Sequence, residues 1–202
     1  MVKMYHYTRR ANLESIQKTG IQLGINPLRG APVVSMTMNK CPKRLGLQTG
    51  AVLVEGIDAD FEPASKAYPD FVFSTESGHR EVRMFDQTEV RLEITVPDEA
   101  KKHILNYDQL FNRDAPALLP NGSLKKFSKK QIKFFWAIAV HSADYPFATD
   151  HVPNEVVDRE IGEIASGKKT HRALEWRFST VVIPPSYISK IEHRQEDGHY
   201  SE

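Results

Sequence analysis

The chain is expected to fold as an α+β protein: a curved, mostly antiparallel sheet with helices packed outside it. Three observations predict this. Segments with strand character dominate both ends, segments with helical periodicity crowd the middle, and no regular strand-helix-strand alternation builds a parallel sheet. Neither a Gly-rich dinucleotide fingerprint nor a phosphate loop occurs, so any nucleotide must be held without a Rossmann crossover.

Residues 4–8 (MYHYT) are rich in β-formers and alternate, which predicts a strand. Leu13 and Ile16 then stand at helical spacing, with Gly20 where a helix ends and Thr8 as the expected N-cap. That arrangement would leave His6 beside a helix N-terminus, whose free N–H groups favour anions. Residues 24–32 read as turns, 33–37 (VVSMT) as a strand ending in hydroxyls, 38–50 as a basic loop and 51–57 (AVLVEGI) as a strand. Residues 58–79 lack periodicity and read as a loop or lid. Residues 90–96 (VRLEITV) alternate cleanly, a half-buried strand closed by Pro97.

Ala100, Ile104, Tyr107 and Phe111 predict a helix over 98–111, broken at 112–122. Ser128 and Gln131 fit a capping box before an apolar face of Ile132, Phe135, Trp136, Ala139 and Val140. Asn154 caps a further helix with Val157, Ile161, Ile164 and Ala165 inward, ending at Gly167. Residues 174–183 read as a strand, Pro184 and Pro185 as its end, 187–192 as a last strand and 194–202 as a frayed polar tail. Together these make one domain over 1–193 with a helical middle section, expected to be a monomer.

At 202 residues the chain is long enough to bury a core. Its net charge of +1 supplies no global field for nucleic acid, membrane or acidic partners, so any basic surface must be local. Its single cysteine, Cys41, excludes an internal disulfide or a cysteine-rich zinc site, and the histidines show no metal-ligand spacing. No metal is expected. No apolar run reaches the ~20 residues of a membrane span and no signal-peptide pattern opens the chain. A reducing cytoplasm is therefore the expected compartment.

Chemistry concentrates in a few places. On a strand, His6 and Thr8 share a face and offer an imidazole and a hydroxyl to an amide or ribose; the competing reading is a histidine satisfied by a backbone carbonyl. Glu175 opens a strand built for burial, where a carboxylate either forms a surface ion pair with Arg177 or stabilises positive charge at an anomeric carbon. Ser35 and Thr37 precede Lys40, Lys43 and Arg44, a candidate pyrophosphate clamp or a solvated loop. Lys125, Lys126, Lys129, Lys130 and Lys133 are interleaved with aromatics, as in a nucleic-acid patch, although Phe135 and Trp136 fall on the helix's apolar face.

Tyr5-His6-Tyr7-Thr8, followed by Asn12, Leu13, Ile16 and Gly20, resembles the opening of ADP-ribosyltransferase-like proteins. It is closest in look to DarT-type DNA ADP-ribosyltransferases. Residues 32–37 (PVVSMT) are similar to that superfamily's second strand, and Glu175, Pro184-Pro185, Ile188 and Ile191 to its closing segment. The resemblance covers about a quarter of the chain. It implies a split, mostly antiparallel sheet around an NAD cleft, with NAD as substrate and a macromolecule, DNA, RNA or protein, as acceptor. It implies that Glu175 acts on the ribose in the transition state, that His6 and Thr8 hold the nicotinamide-side ribose and carboxamide, and that Ser35 and Thr37 line the cleft. With the basic loop's Lys40 and Arg44 and the neighbouring Tyr7, the candidate catalytic pair is Glu175 and His6 and the cofactor-binding set is His6, Tyr7, Thr8, Ser35, Thr37, Lys40 and Arg44. One departure is plain: where DarT-like enzymes carry an arginine after the second strand, this chain reads Met38-Asn39-Lys40. Two other readings stay open: a degenerate binding or inhibitor protein of the same fold, and an RNA 2′-phosphotransferase-like enzyme using His79, Arg80 and Arg83.

Overall fold

The computed structural model describes residues 1–26, 30–42, 45, 47–50, 52–118 and 175–202. In chain order these form β1 (Val2–Thr8), α1 (Leu13–Thr19), β2 (Val34–Thr37), β3 (Val52–Val54), α2 (Phe61–Ala67), β4 (Val72–Ser74), β5 (Arg80–Arg83), β6 (Val90–Val96), β7 (Ile104–Asn106), α3 (Tyr107–Leu118), β8 (Trp176–Ser179), β9 (Ile188–Arg194) and β10 (Tyr200–Ser201). The class is α+β and every strand pair is antiparallel. The helices expected over 132–140 and 154–167, with their caps, lie outside the described residues, as do Arg44 and the lysine cluster.

Seven strands make the main sheet, in the order β10-β9-β6-β1-β2-β8-β7, and three make a smaller one, β3-β5-β4. The main sheet is not uniformly joined. β1 pairs with β6 through all seven residues from Val2 to Thr8, and β2 pairs with β8 through all four from Val34 to Thr37. Between β1 and β2 the register holds one pair, Tyr5 with Thr37. The two blocks are thus stitched at a single row, and beyond it the sheet opens along a seam.

Both faces of the main sheet are covered. One packs Tyr5, Tyr7, Trp176 and Phe178 against Tyr107 and Leu110 of α3. The other packs Met4, Met36, Leu92 and Ile94 against Ile16 of α1 and Ile183. This explains why β6, read as half-buried, is buried along almost its whole length. Its polar residues have partners rather than water: Arg91 donates to Glu192 at 2.7 Å, and Glu93 pairs with Lys3 at 2.8 Å.

Residues 58–79, read as a loop or lid, instead contain α2, a 3-10 turn (Pro69–Phe71) and β4. Pro63 sits in the first turn of α2, where its missing N–H costs nothing. Phe61 and Ala64 of that helix bury themselves against Leu53 and Val82 of the small sheet and Met84 just past β5. The strand expected over 51–57 shortens to β3, ended by a turn with Gly56 at φ 76. The helix expected over 98–111 divides into a 3-10 stretch (Asp98–His103), β7 and α3. Pairing of Ile104 and Leu105 with Ser179 and Phe178 captures that segment for the sheet edge, overriding its helical spacing. The closing residues, expected to fray, return as β10 beside β9, with Tyr200 Oη donating to the Thr88 carbonyl.

Candidate functional site at the seam between β1 and β2

β1 carries His6, Tyr7 and Thr8 along one lip of the seam, and β2 carries Ser35 and Thr37 along the other. His6 reaches across: its Nδ1 lies 2.8 Å from the Ser35 carbonyl oxygen. A carbonyl only accepts, so Nδ1 bears the proton and, in the neutral ring, Nε2 carries the lone pair. Burial lowers the His6 pKa below its usual 6.5, outweighing the opposing effect of the Ser35 contact, and so the ring is neutral at pH 7. His6 keeps some accessible surface and is not sealed in hydrocarbon. The carbonyl-satisfied arrangement is therefore present, and it leaves the imidazole a defined acceptor nitrogen.

Ser35 contributes this carbonyl, and its hydroxyl makes no hydrogen bond among the described residues. Thr8 is buried and does not cap α1. It is drawn into β1 by pairing with Val90, a 3-10 turn (Arg10–Asn12) intervenes, and its Oγ1 accepts from Asn12 Nδ2 at 3.0 Å. The expectation that His6 stands at a helix mouth is corrected accordingly, since α1 begins only at Leu13.

Glu175 sits immediately before β8, at the foot of the stitched row. Thr37 pairs with Trp176, so Tyr5, Thr37 and Trp176 run across three strands, with His6 one residue above the row and Glu175 one below. Ideal strand spacings put their Cα atoms about 12 Å apart. Glu175 is partly exposed and its Oε2 accepts from Asn39 Nδ2 at 2.9 Å. Its carbonyl accepts from Met38 N at 2.9 Å and from Thr37 Oγ1 at 3.4 Å. Thr37 is buried and its hydroxyl also accepts from Asn39 N at 3.0 Å, so it shapes this turn rather than facing a ligand. Arg177 turns its Nη1 to the Trp176 carbonyl at 2.8 Å.

The loop after β2 is held over the Tyr5 face. Tyr7 Oη and Arg91 Nη1 both donate to the Lys40 carbonyl, the latter at 3.0 Å. Burial raises the Tyr7 pKa, so its phenol stays a donor. The exposed Lys40 ammonium lies 5.5 Å from the centre of the Tyr5 ring. Arg91 stacks at 4.3 Å over Tyr200 while paired with Glu192.

The structure thus brings together His6 with Ser35, Thr37 with Glu175, and Tyr7 with Lys40. Two residues that matter here escaped the sequence reading. Asn39 carried a signal, being an Asx residue just past a strand whose Oδ1 takes the Cys41 N–H at 2.9 Å. Arg91 carried none, because alternation put it on an apparent solvent face. Other clefts lie elsewhere: one against Val96, Ile104 and Val182, another against Arg10, Asp86 and Arg194. Among the described residues no group of three or more His, Cys, Asp or Glu is placed to hold a metal, and no helix is long and apolar enough to cross a membrane. No family model, curated protein or solved structure matches the chain.

Proposed function

We propose that the chain is an NAD-dependent mono-ADP-ribosyltransferase built on the split antiparallel sheet of that family, with the β1–β2 seam as its centre. One observation carries the reading. The three segments that hold the resemblance, residues 4–8, 32–37 and 175, are far apart in sequence yet fall on adjacent strands or their immediate ends, and the sheet parts between the first two.

The residues fit the substrate they would take. His6 presents an acceptor nitrogen for a ribose hydroxyl, fixed by the Ser35 carbonyl. Glu175 holds a carboxylate at a site open to solvent, oriented by Asn39. Lys40 offers an exposed ammonium for a pyrophosphate. NAD supplies the activated glycosidic bond: the C–N bond to nicotinamide breaks, its electron pair leaves on the nicotinamide nitrogen, and an acceptor oxygen or nitrogen bonds the anomeric carbon and loses its proton to solvent. Glu175 opposes the positive charge developing at that carbon, an interaction stronger in the transition state than in the ground state. With no arginine in the Met38-Asn39-Lys40 stretch, Lys40 is the first cation after β2 for the pyrophosphate, with Lys43 and Arg44 next along the chain.

The acceptor is a macromolecule. Nucleic acid is favoured by Lys125, Lys126, Lys129, Lys130 and Lys133, and replacing Lys129, Lys130 and Lys133 by alanine should then flatten the salt dependence of DNA or RNA binding. The decisive experiment is nicotinamide release from NAD by the full chain, alone and with single-stranded DNA, RNA or a protein extract, beside Glu175→Gln. Release that the variant loses supports the assignment. No release under any condition, together with no thermal shift in millimolar NAD, removes it.

A further inference from the structure

We infer that Asn39 is the positioning residue for Glu175. This deepens, and rests on, the reading of the seam as a site of NAD cleavage. The Asn39 side chain is determined at both ends. Its Oδ1 accepts the Cys41 N–H at 2.9 Å, which fixes which amide edge faces outward, and its Nδ2 then donates to Glu175 Oε2 at 2.9 Å. Its backbone is equally constrained, with its N–H given to Thr37 Oγ1 at 3.0 Å. The next residue is clamped by two donors, Tyr7 Oη and Arg91 Nη1, on the Lys40 carbonyl. A short loop with this many fixed points is a support for whatever it contacts, and what it contacts is the carboxylate.

The chemistry of the contact matters as much as its geometry. Where the family pattern places a cation after the second strand, this chain places a neutral amide in direct contact with the carboxylate. The amide holds one oxygen by a single neutral hydrogen bond and leaves the negative charge in place for the anomeric carbon. Asn39 therefore acts through Glu175.

The test uses the full chain with Asn39→Ala and Asn39→Asp, reading nicotinamide release from NAD as kcat, KM and a pH profile. Asn39→Asp is isosteric, keeps an acceptor for Cys41 N–H, and guards against a fold lost in the alanine variant. The alanine variant should lose about 100-fold in kcat, the scale of a displaced catalytic group, with KM within about 3-fold. In the aspartate variant a second carboxylate beside Glu175 disfavours its ionised form, so the acid limb of the profile should move to higher pH. A wild-type chain that releases nicotinamide while both variants keep its kcat and acid limb overturns the inference and leaves the transferase reading standing. A wild-type chain that releases none overturns that reading, and this one with it.

Discussion

Tyr5 faces Thr37 across β1 and β2 as the one pair in register between those strands, and the next residue, His6, reaches the Ser35 carbonyl at 2.8 Å with its side chain while its backbone stays paired with Leu92 of β6. The imidazole thus takes over a job that a continuous ladder would give to backbone N–H groups. A side chain committed in this way has a pH signature. The His6 pKa in the fold lies below the usual 6.5 because burial disfavours the charged ring. Above pH 6.5 the ring is neutral both folded and unfolded and contributes no pH dependence. As pH falls below that value the unfolded chain takes up a proton that the fold refuses, so stability declines until the folded pKa is passed. His6→Gln, which keeps a donor for Ser35 but cannot titrate, should flatten the acid arm of a Tm-against-pH curve below about pH 6.5. Superimposable acid arms for the two proteins would contradict this account of His6.

On the proposed reading, Glu175 acts on the chemistry rather than on binding, and a single substitution tests that. It is partly exposed and its partner Asn39 is itself tied to Cys41, so Glu175→Gln preserves the local frame. The variant should therefore bind NAD about as well as the wild type and share its NAD-dependent rise in Tm. A ligand at 100 times its Kd stabilises the native state by about 2.7 kcal/mol. Nicotinamide release, in contrast, should fall by about 100-fold or more, the usual scale for losing one electrostatic group aimed at transition-state charge. Equal loss of thermal shift and release would recast Glu175 as a binding residue.

Much of the sheet was legible because its strands are short and β-rich, with local turn signals at their ends. β1, β2, β6, β8 and β9 all appear within a few residues of where alternation and Pro or Gly put them. What failed did so where a distant partner overrode a local period. Residues 104–106 joined the sheet edge through β8 despite helical spacing, and the polar closing residues were claimed by β9 and by Thr88. The same distinction holds at the site. His6 and Glu175 stood out as polar residues in apolar surroundings, whereas Arg91 became meaningful only once Glu192 and Tyr200 were beside it. The opening between β1 and β2 has no local signal in residues 2–8 or 34–37, being a difference between two ladders.

Gly20 ties α1 to the segment that follows β8, and its substitution tests that closeness. It ends α1 at φ 81 with its N–H on the Ile16 carbonyl at 2.8 Å, and Ile21 and Ile183 exchange hydrogen bonds at 2.9 and 3.1 Å. A Cβ built there would lie 2.3 Å from the Ile183 carbonyl oxygen, which is backbone and cannot swing aside. Gly20→Ala should therefore cost about 1–3 kcal/mol from strain in the left-handed region, with the forced retreat of residues 183–184 added. Chemical denaturation of the two proteins measures it. A change below about 0.5 kcal/mol would show that α1 and residue 183 do not meet this closely.

Arg91 links the core to the loop that carries Asn39. Its guanidinium, about one-tenth exposed, pairs with Glu192 at 2.7 Å, stacks on Tyr200 and donates to the Lys40 carbonyl at 3.0 Å. The arginine's partnership holds the Glu192 carboxyl below its ordinary range. Arg91→Ala leaves that mostly buried carboxylate without its arginine, and removing one partner of such a pair costs about 3–5 kcal/mol when burial is complete, so about 2–4 kcal/mol is expected at this partial exposure. Arg91→Met with Glu192→Leu removes both charges and fills the space, and should recover most of the lost stability, because the desolvation penalty disappears together with the attraction. The Lys40 carbonyl, however, keeps only Tyr7 as its donor in the double variant. Stability and loop order should therefore part company: the double variant melts near the wild type while amide exchange at residues 39–41 quickens. A double variant whose loop exchanges as slowly as the wild type would show that Tyr7 alone holds Lys40, and that Arg91 serves the core without reaching the site.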